Sequence, residues 1–180
     1  MGIRISQFLV IEQIIIAGPK NPAIIHYQQH TQEHTLSTRS TIAIELADGT
    51  VKQVYCHSDG YLSYNGRILF EHYSDPAKLE ELINLGDISV MGLEIGVKID
   101  FNNRLTFTEN NQATQCRIYG RDRGESGDDA RLFWNFGMYE MTHQREQYAY
   151  ILRNNGTWYV AIGEGSFIEL AGALNVEAAA

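Results

Sequence analysis

Cysteine is scarce in this chain, and the two residues present, Cys56 and Cys116, are far apart in the sequence. Two isolated thiols make neither a disulfide framework nor a zinc cage, so both are read as reduced and buried. Positive charge is also short, with 14 Lys and Arg against 22 Asp and Glu and a formal net charge of −8. Binding along a phosphate backbone needs a clustered cationic excess, so direct nucleic-acid binding is not expected. No apolar run reaches the roughly 18 residues of a membrane span, because Glu12 and Gln13 interrupt the richest stretch before Ile14, Ile15 and Ile16. No membrane crossing and no export signal are expected. No internal repeat is visible either.

What remains is 180 residues, 44% of them hydrophobic, enough for one sizeable core. Residues 1–37 differ from the rest. Gly18, Pro19, Asn21 and Pro22 break any element there, and a polar stretch with His26, His30 and His34 follows. Phe8 to Ile11 fits one short strand or helical turn. The segment reads as an N-terminal arm or atypical extension, and residues 38–180 as a single α+β domain. The three His have the spacing of one helix face, but no cysteine stands near them and a solvated polar segment is the favoured reading, so no metal and no cofactor is assigned.

From Thr41 onward the pattern sharpens. Ile42, Ile44 and Leu46 alternate, Asp48-Gly49 reads as a two-residue turn, and Val51 to His57 returns as the second strand of a hairpin. That turn predicts Glu45 opposite Lys52, Ala43 opposite Val54 and Ile42 opposite Tyr55, with Ile42, Ile44, Leu46, Val51 and Tyr55 on the core face. Residues 60–66 read as a loop and 67–73 as helical. Asp75-Pro76 predicts the cap and first residue of a second helix with Leu79, Leu82 and Ile83 as its stripe, ended by Gly86. Gln115 to Tyr119 reads as a strand and 120–129 as a polar loop. Asp128 or Asp129 is expected to cap a helix carrying Leu132, Phe133 and Trp134. Tyr148–Leu152 and Trp158–Ile162 flank Asn155-Gly156 as a second hairpin, placing Arg153 opposite Trp158, and 167–174 closes the chain as a helix. The fold class is α+β: an antiparallel sheet of two hairpins plus a further strand, packed with two or three short helices.

Two clusters carry chemistry. In the first, Cys56 beside His57 suggests a thiolate nucleophile, but neighbouring strand residues point to opposite faces, which favours a buried thiol. His57 and Asp59 are better matched, either as a ligand-binding pair walled by Tyr61 or as a loop staple in which Asp59 bonds the backbone and Gly60 takes a positive φ. In the second cluster, Arg121 and Arg123 on a glycine-bounded loop suit a bidentate grip on phosphate or carboxylate, with Asp122 and Glu125 close enough to neutralise them. The loop lacks the Lys-Ser/Thr ending of a phosphate loop. The candidate ligand site is therefore His57, Asp59, Tyr61, Arg121, Asp122, Arg123 and Glu125, provided the two loops meet.

From Thr38 to Gly86 the chain carries Arg39-Ser40-Thr41-Ile42-Ala43, Tyr55-Cys56-His57, Asp59-Gly60-Tyr61, Asn65-Gly66 and, just beyond, Leu85-Gly86-Asp87; Tyr119 to Glu125 and Trp158-Tyr159-Val160 follow. This combination resembles an uncharacterised family of tailed-bacteriophage and prophage accessory proteins, over most of the chain after residue 37. Ser58 stands where that family often has Trp, and the family usually begins close to Thr38. The resemblance implies a phage accessory setting and brings no activity, cofactor or catalytic residue. The leading expectation is a soluble accessory protein of the infected host's cytoplasm that binds a host protein or a small anionic ligand. The alternatives are a virion or decoration protein contacting its neighbour through residues 1–37, and a nucleotide or phosphate-ester enzyme using His57 and Arg121.

Overall fold

The computed structural model describes residues 37–100, 114–142 and 146–179. The expected arm, its strand or turn at Phe8 to Ile11 and its three His lie outside the described residues, Ser37 excepted. From Thr35 onward the chain is one compact unit.

The described residues form an open sheet of eight strands, mostly antiparallel, with a few short helices, so the fold is α+β. The strands are β1 Ser40–Glu45, β2 Val51–Cys56, β3 Ile88–Val90, β4 Arg117–Ile118, β5 Arg131–Phe133, β6 Tyr148–Leu152, β7 Trp158–Ile162 and β8 Ile168–Glu169. Their order is β4-β3-β2-β1-β6-β7-β8, with β5 pairing the first half of β2. β1 runs parallel to β6 and β2 parallel to β3; the other pairings are antiparallel.

Both hairpins lie where the sequence places them, and both are shifted by one residue from the expected register. The pairs are Ile42 with Val54 and Ala43 with Gln53 in the first, and Leu152 with Trp158 in the second. The cause is the same at both turns. Each connection has three residues, because the Gly N–H bonds back to the carbonyl three residues earlier, Gly49 to Leu46 and Gly156 to Arg153, while Gly takes φ +87° and +79°. This is a turn followed by a left-handed glycine rather than a two-residue turn. The Asp48 and Asn155 side chains lock it by accepting the N–H of Thr50 and Thr157.

A slip of one residue exchanges faces. Cys56, not Tyr55, therefore joins Ile42, Ile44 and Val54 in the main core, and Val51 lies on the opposite face with Ala43. Arg153 likewise does not face Trp158; its guanidinium lies 3.6 Å above the Phe136 ring and its Nε donates to Glu45 at 2.6 Å.

Three helices cover the main face: α1 Arg67–His72, α2 Pro76–Ile83 and, at the chain's end, Leu170–Ala178. The second of these is built as the sequence predicts. Asp75 Oδ1 accepts the Ala77 N–H, Pro76 occupies the first turn, Leu79, Leu82 and Ile83 are buried, and Gly86 has φ +89°. Residues 62–66 are a π-helical turn leading into α1 rather than loop, and 119–123 form a second such turn.

The segment expected to be helical around Leu132, Phe133 and Trp134 is instead β5. Pairing with the open edge of Val51–Gln53 overrides the helical reading, and the helix α3, Phe136–Thr142, begins only after Asn135, whose Oδ1 accepts the Met138 N–H as a cap. This helix covers the second face of the sheet, where Tyr139 packs with Ala43, Val51 and Ile151, ringed by Phe133, Phe136, Tyr159 and Phe167.

Candidate functional site

The alternation of β2 sets the site. With Val54 and Cys56 in the main core, Gln53, Tyr55 and His57 line up on the second face. Cys56 is fully buried, and burial pushes its thiol up to about 12 against the opposing hydrogen bonds from Asn65 and its neighbours. A thiol this reluctant to ionise, turned away from His57, is not a nucleophile at neutral pH.

His57 takes a different partner from the one its sequence neighbours suggest. Its Nδ1 is 3.0 Å from the Tyr55 hydroxyl, and that hydroxyl accepts from Arg39 Nε at 3.0 Å. Burial raises the Tyr55 pKa, with the Arg39 bond opposing it, so the phenol keeps its proton. The phenol that accepts from Arg39 still has its own proton to offer Nδ1, and in the tautomer with Nδ1 as acceptor the ring proton sits on Nε2. Asp59 is therefore not the orienter of His57; Tyr55 is. Nor is Asp59 the loop staple. Asn65 does that work, donating from Nδ2 to Ser58 O at 3.2 Å, Ser40 Oγ at 3.1 Å and Cys56 Sγ at 3.3 Å. The positive φ falls on Asp59 itself, +55°. Gly60 serves close approach instead: a Cβ there would lie 2.7 Å from the Arg39 carbonyl carbon. Tyr61 is exposed at the loop tip, its ring centre 6.1 Å from that of Tyr64.

Arg121 is not an anion clamp. Its five N–H donors are all spent inside the molecule: Nε and Nη2 on the Asp122 carboxylate, Nη2 also on Cys116 O, and Nη1 on Ile95 O and Gly96 O. Asp122, its side chain 1% exposed, accepts in addition the Ile99 and Ile118 N–H groups. Burial alone would raise the Asp122 pKa, but the Arg121 bonds and the two backbone donors outweigh it and hold the carboxyl below its ordinary value. Arg123 stays at the surface, 3.5 Å from Ser89 Oγ, 5.0 Å above the Tyr119 ring and 3.8 Å from Glu125.

The two loops flank β3. The His57 N–H bonds Ile88 O on one side, whereas β4 and the turn after it run along the other, where the Tyr119 N–H bonds Asp87 O. Two strand spacings, about 10 Å, thus separate the chains that were expected to meet. Among the described residues no cluster of His, Cys, Asp and Glu is arranged to hold a metal, and no helix is long and apolar enough to cross a membrane.

No family model, curated protein or solved structure matches the chain. The site is therefore described from its own geometry. Arg39 was missed because it precedes the first strand. The signal that finds it is the alternating row Gln53, Tyr55, His57, read in the correct register.

A second surface feature follows β5. Leu132, Trp134, Met138 and Met141 are all exposed, Trp134 to 88% and Met141 to 83%. Asp129 and Glu140 are exposed beside them in the sequence.

Proposed function

We propose that this chain is a phage or prophage accessory protein that acts by binding a host protein. The observation that carries the reading is the exposure of large apolar side chains along the stretch from β5 into α3, Leu132, Trp134, Met138 and Met141, with Trp134 the most exposed of them. Tryptophan is the side chain most costly to leave in water and the one most enriched at the energetic centres of interfaces, and Met adapts to irregular partner surfaces. The partner it suits presents an apolar pocket for Trp134, rimmed by basic groups that answer Asp129, Glu140 and the chain's net charge of −8. The phage setting rests on the resemblance of the segments from Arg39 to Asp87 and from Tyr119 to Glu125.

The test pairs the whole chain with its Trp134→Ala variant in capture from host extract, followed by reconstitution with the purified candidate. A host protein retained by the parent chain, lost by at least tenfold with Trp134→Ala and rebinding when purified supports the reading. Identical retained sets, or a purified candidate that binds both forms equally, overturn it.

A further inference from the structure

The geometry points to a binding site for a small oxyanion, a carboxylate or phosphate group, held by the Arg39 guanidinium and His57 Nε2 on the second face of the sheet. Arg39 is fixed at both ends. Its backbone N–H donates to Gln147 Oε1 at 3.0 Å, its carbonyl accepts from the Tyr148 N–H at 3.3 Å, and its Nε is held by the Tyr55 hydroxyl. Nη1 and Nη2 have no partner among the described residues, so with Nε engaged the Nη1–Nη2 edge of the fork is left for a ligand. Arg39 is exposed, as a site for a diffusible ligand requires.

His57 is fixed in the same manner. Its N–H bonds Ile88 O at 2.9 Å, its carbonyl accepts from Ser37 Oγ at 2.6 Å, and its Nδ1 is occupied by Tyr55. That leaves Nε2 as a donor. One phenol hydroxyl therefore sets the position of both cationic or donor groups, and the guanidinium fork matches the paired oxygens of an oxyanion. Preorganised donors lose little freedom when the ligand arrives. The carboxylates nearby do not close the site from within: Asp87 Oδ1 is engaged by the Tyr55 N–H at 2.7 Å, and Glu146 acts on Tyr55 without bonding Arg39. Arg121, fully consumed in its own network, takes no part. The site shares no residue with the exposed Trp134 stretch, and neither reading depends on the other.

The experiment is an NMR titration of the whole chain, following the His57 ring nitrogens and the Arg39 side-chain signals at constant ionic strength. Inorganic phosphate is added in one arm, acetate in a second and chloride in a third. Saturable shifts at both residues with phosphate, acetate or both, and not with chloride, are expected, and the arm that saturates at lower concentration names the oxyanion. Arg39→Ala should weaken binding at least tenfold. Tyr55→Phe, which keeps both donors and removes their shared tether, should weaken it several-fold with the amide spectrum otherwise preserved, and Lys78→Ala should leave it unchanged. Chloride shifts equal to those of the oxyanions, or binding indifferent to Arg39→Ala and Tyr55→Phe, overturn the proposal.

Discussion

Arg121 follows β4 and Arg39 precedes β1, with β3 and β2 between those two strands, and they are used in opposite ways. Arg121 turns inward, and every N–H it owns is bonded to Asp122 or to a backbone carbonyl, so it fastens β4 to the 95–99 segment. Arg39 uses only Nε, on Tyr55, and leaves the rest of its fork to solvent. The difference lies in the company each keeps. Asp122 is buried beside Arg121 and needs a counter-charge, while Arg39 meets a neutral phenol that satisfies one donor and asks for no more. An arginine beside an acid in sequence is therefore a poor guide to a ligand site; an arginine held by a single neutral hydroxyl is a better one.

Breaking the inward network should have the largest effect. Asp122→Ala leaves the Arg121 charge buried without its partner, at a cost of about 3–5 kcal/mol in unfolding free energy, measured by urea titration. The pH dependence separates this carboxylate from Asp87. Asp122 is depressed below its ordinary value of 3.8, so its stabilisation is complete above the unfolded value and is lost as pH falls through the folded one. Asp87 is raised by burial, with the Tyr55 N–H and Arg131 opposing, so ionising it costs stability as pH rises from 3.8 through its folded value. Asp122→Asn should flatten the acid limb of the stability curve, whereas Asp87→Asn should raise the neutral plateau; both limbs unchanged would remove the distinction.

The outward network is broken next. Gly60→Ala forces a methyl against the Arg39 backbone at 2.7 Å, and the strand start must move to admit it. A loss of about 1–3 kcal/mol is expected, together with altered Arg39 side-chain signals, and a crystal structure with Arg39 unmoved would contradict the account. The smallest effect belongs to Gln53, which heads the row leading to Tyr55 and His57. The residue is 1% exposed, and neither its amide nitrogen nor its oxygen has a partner among the described residues. An unsatisfied buried amide costs on the order of 1–3 kcal/mol, so Gln53→Met should hold or raise stability by about 1 kcal/mol. A clear loss would mean that the amide is satisfied after all.

Much of the fold was legible in the chain and much of the site was not, for one shared reason. Strand alternation located both hairpins, and Asp75-Pro76 located α2 and its cap. The Asp-Gly and Asn-Gly pairs marked the turns but not their length. The Thr after each pair, whose N–H is taken by the Asx side chain, belongs to the three-residue form, and reading it would have set the register. With the register one residue out, Tyr55 was assigned to the core and lost from the site. Leu132 to Trp134 read as helix because the pattern could not show that β2 has an open edge for β5. Arg121 read as a clamp because it shares a glycine-bounded loop with Arg123, and the sequence does not reveal that Asp122 is buried and takes two of its bonds.

The position of β1 has one further consequence. It lies in the middle of the sheet, laddered along both sides by β2 and β6, and the residues leading into it are pinned: Ser37 to His57, Thr38 O to the Gly60 N–H, and Arg39 to Gln147 and Tyr148. A mechanical load applied to the chain ahead of Ser37 would act along β1 and strain two ladders at once in shear, rather than peel a marginal strand one bond at a time.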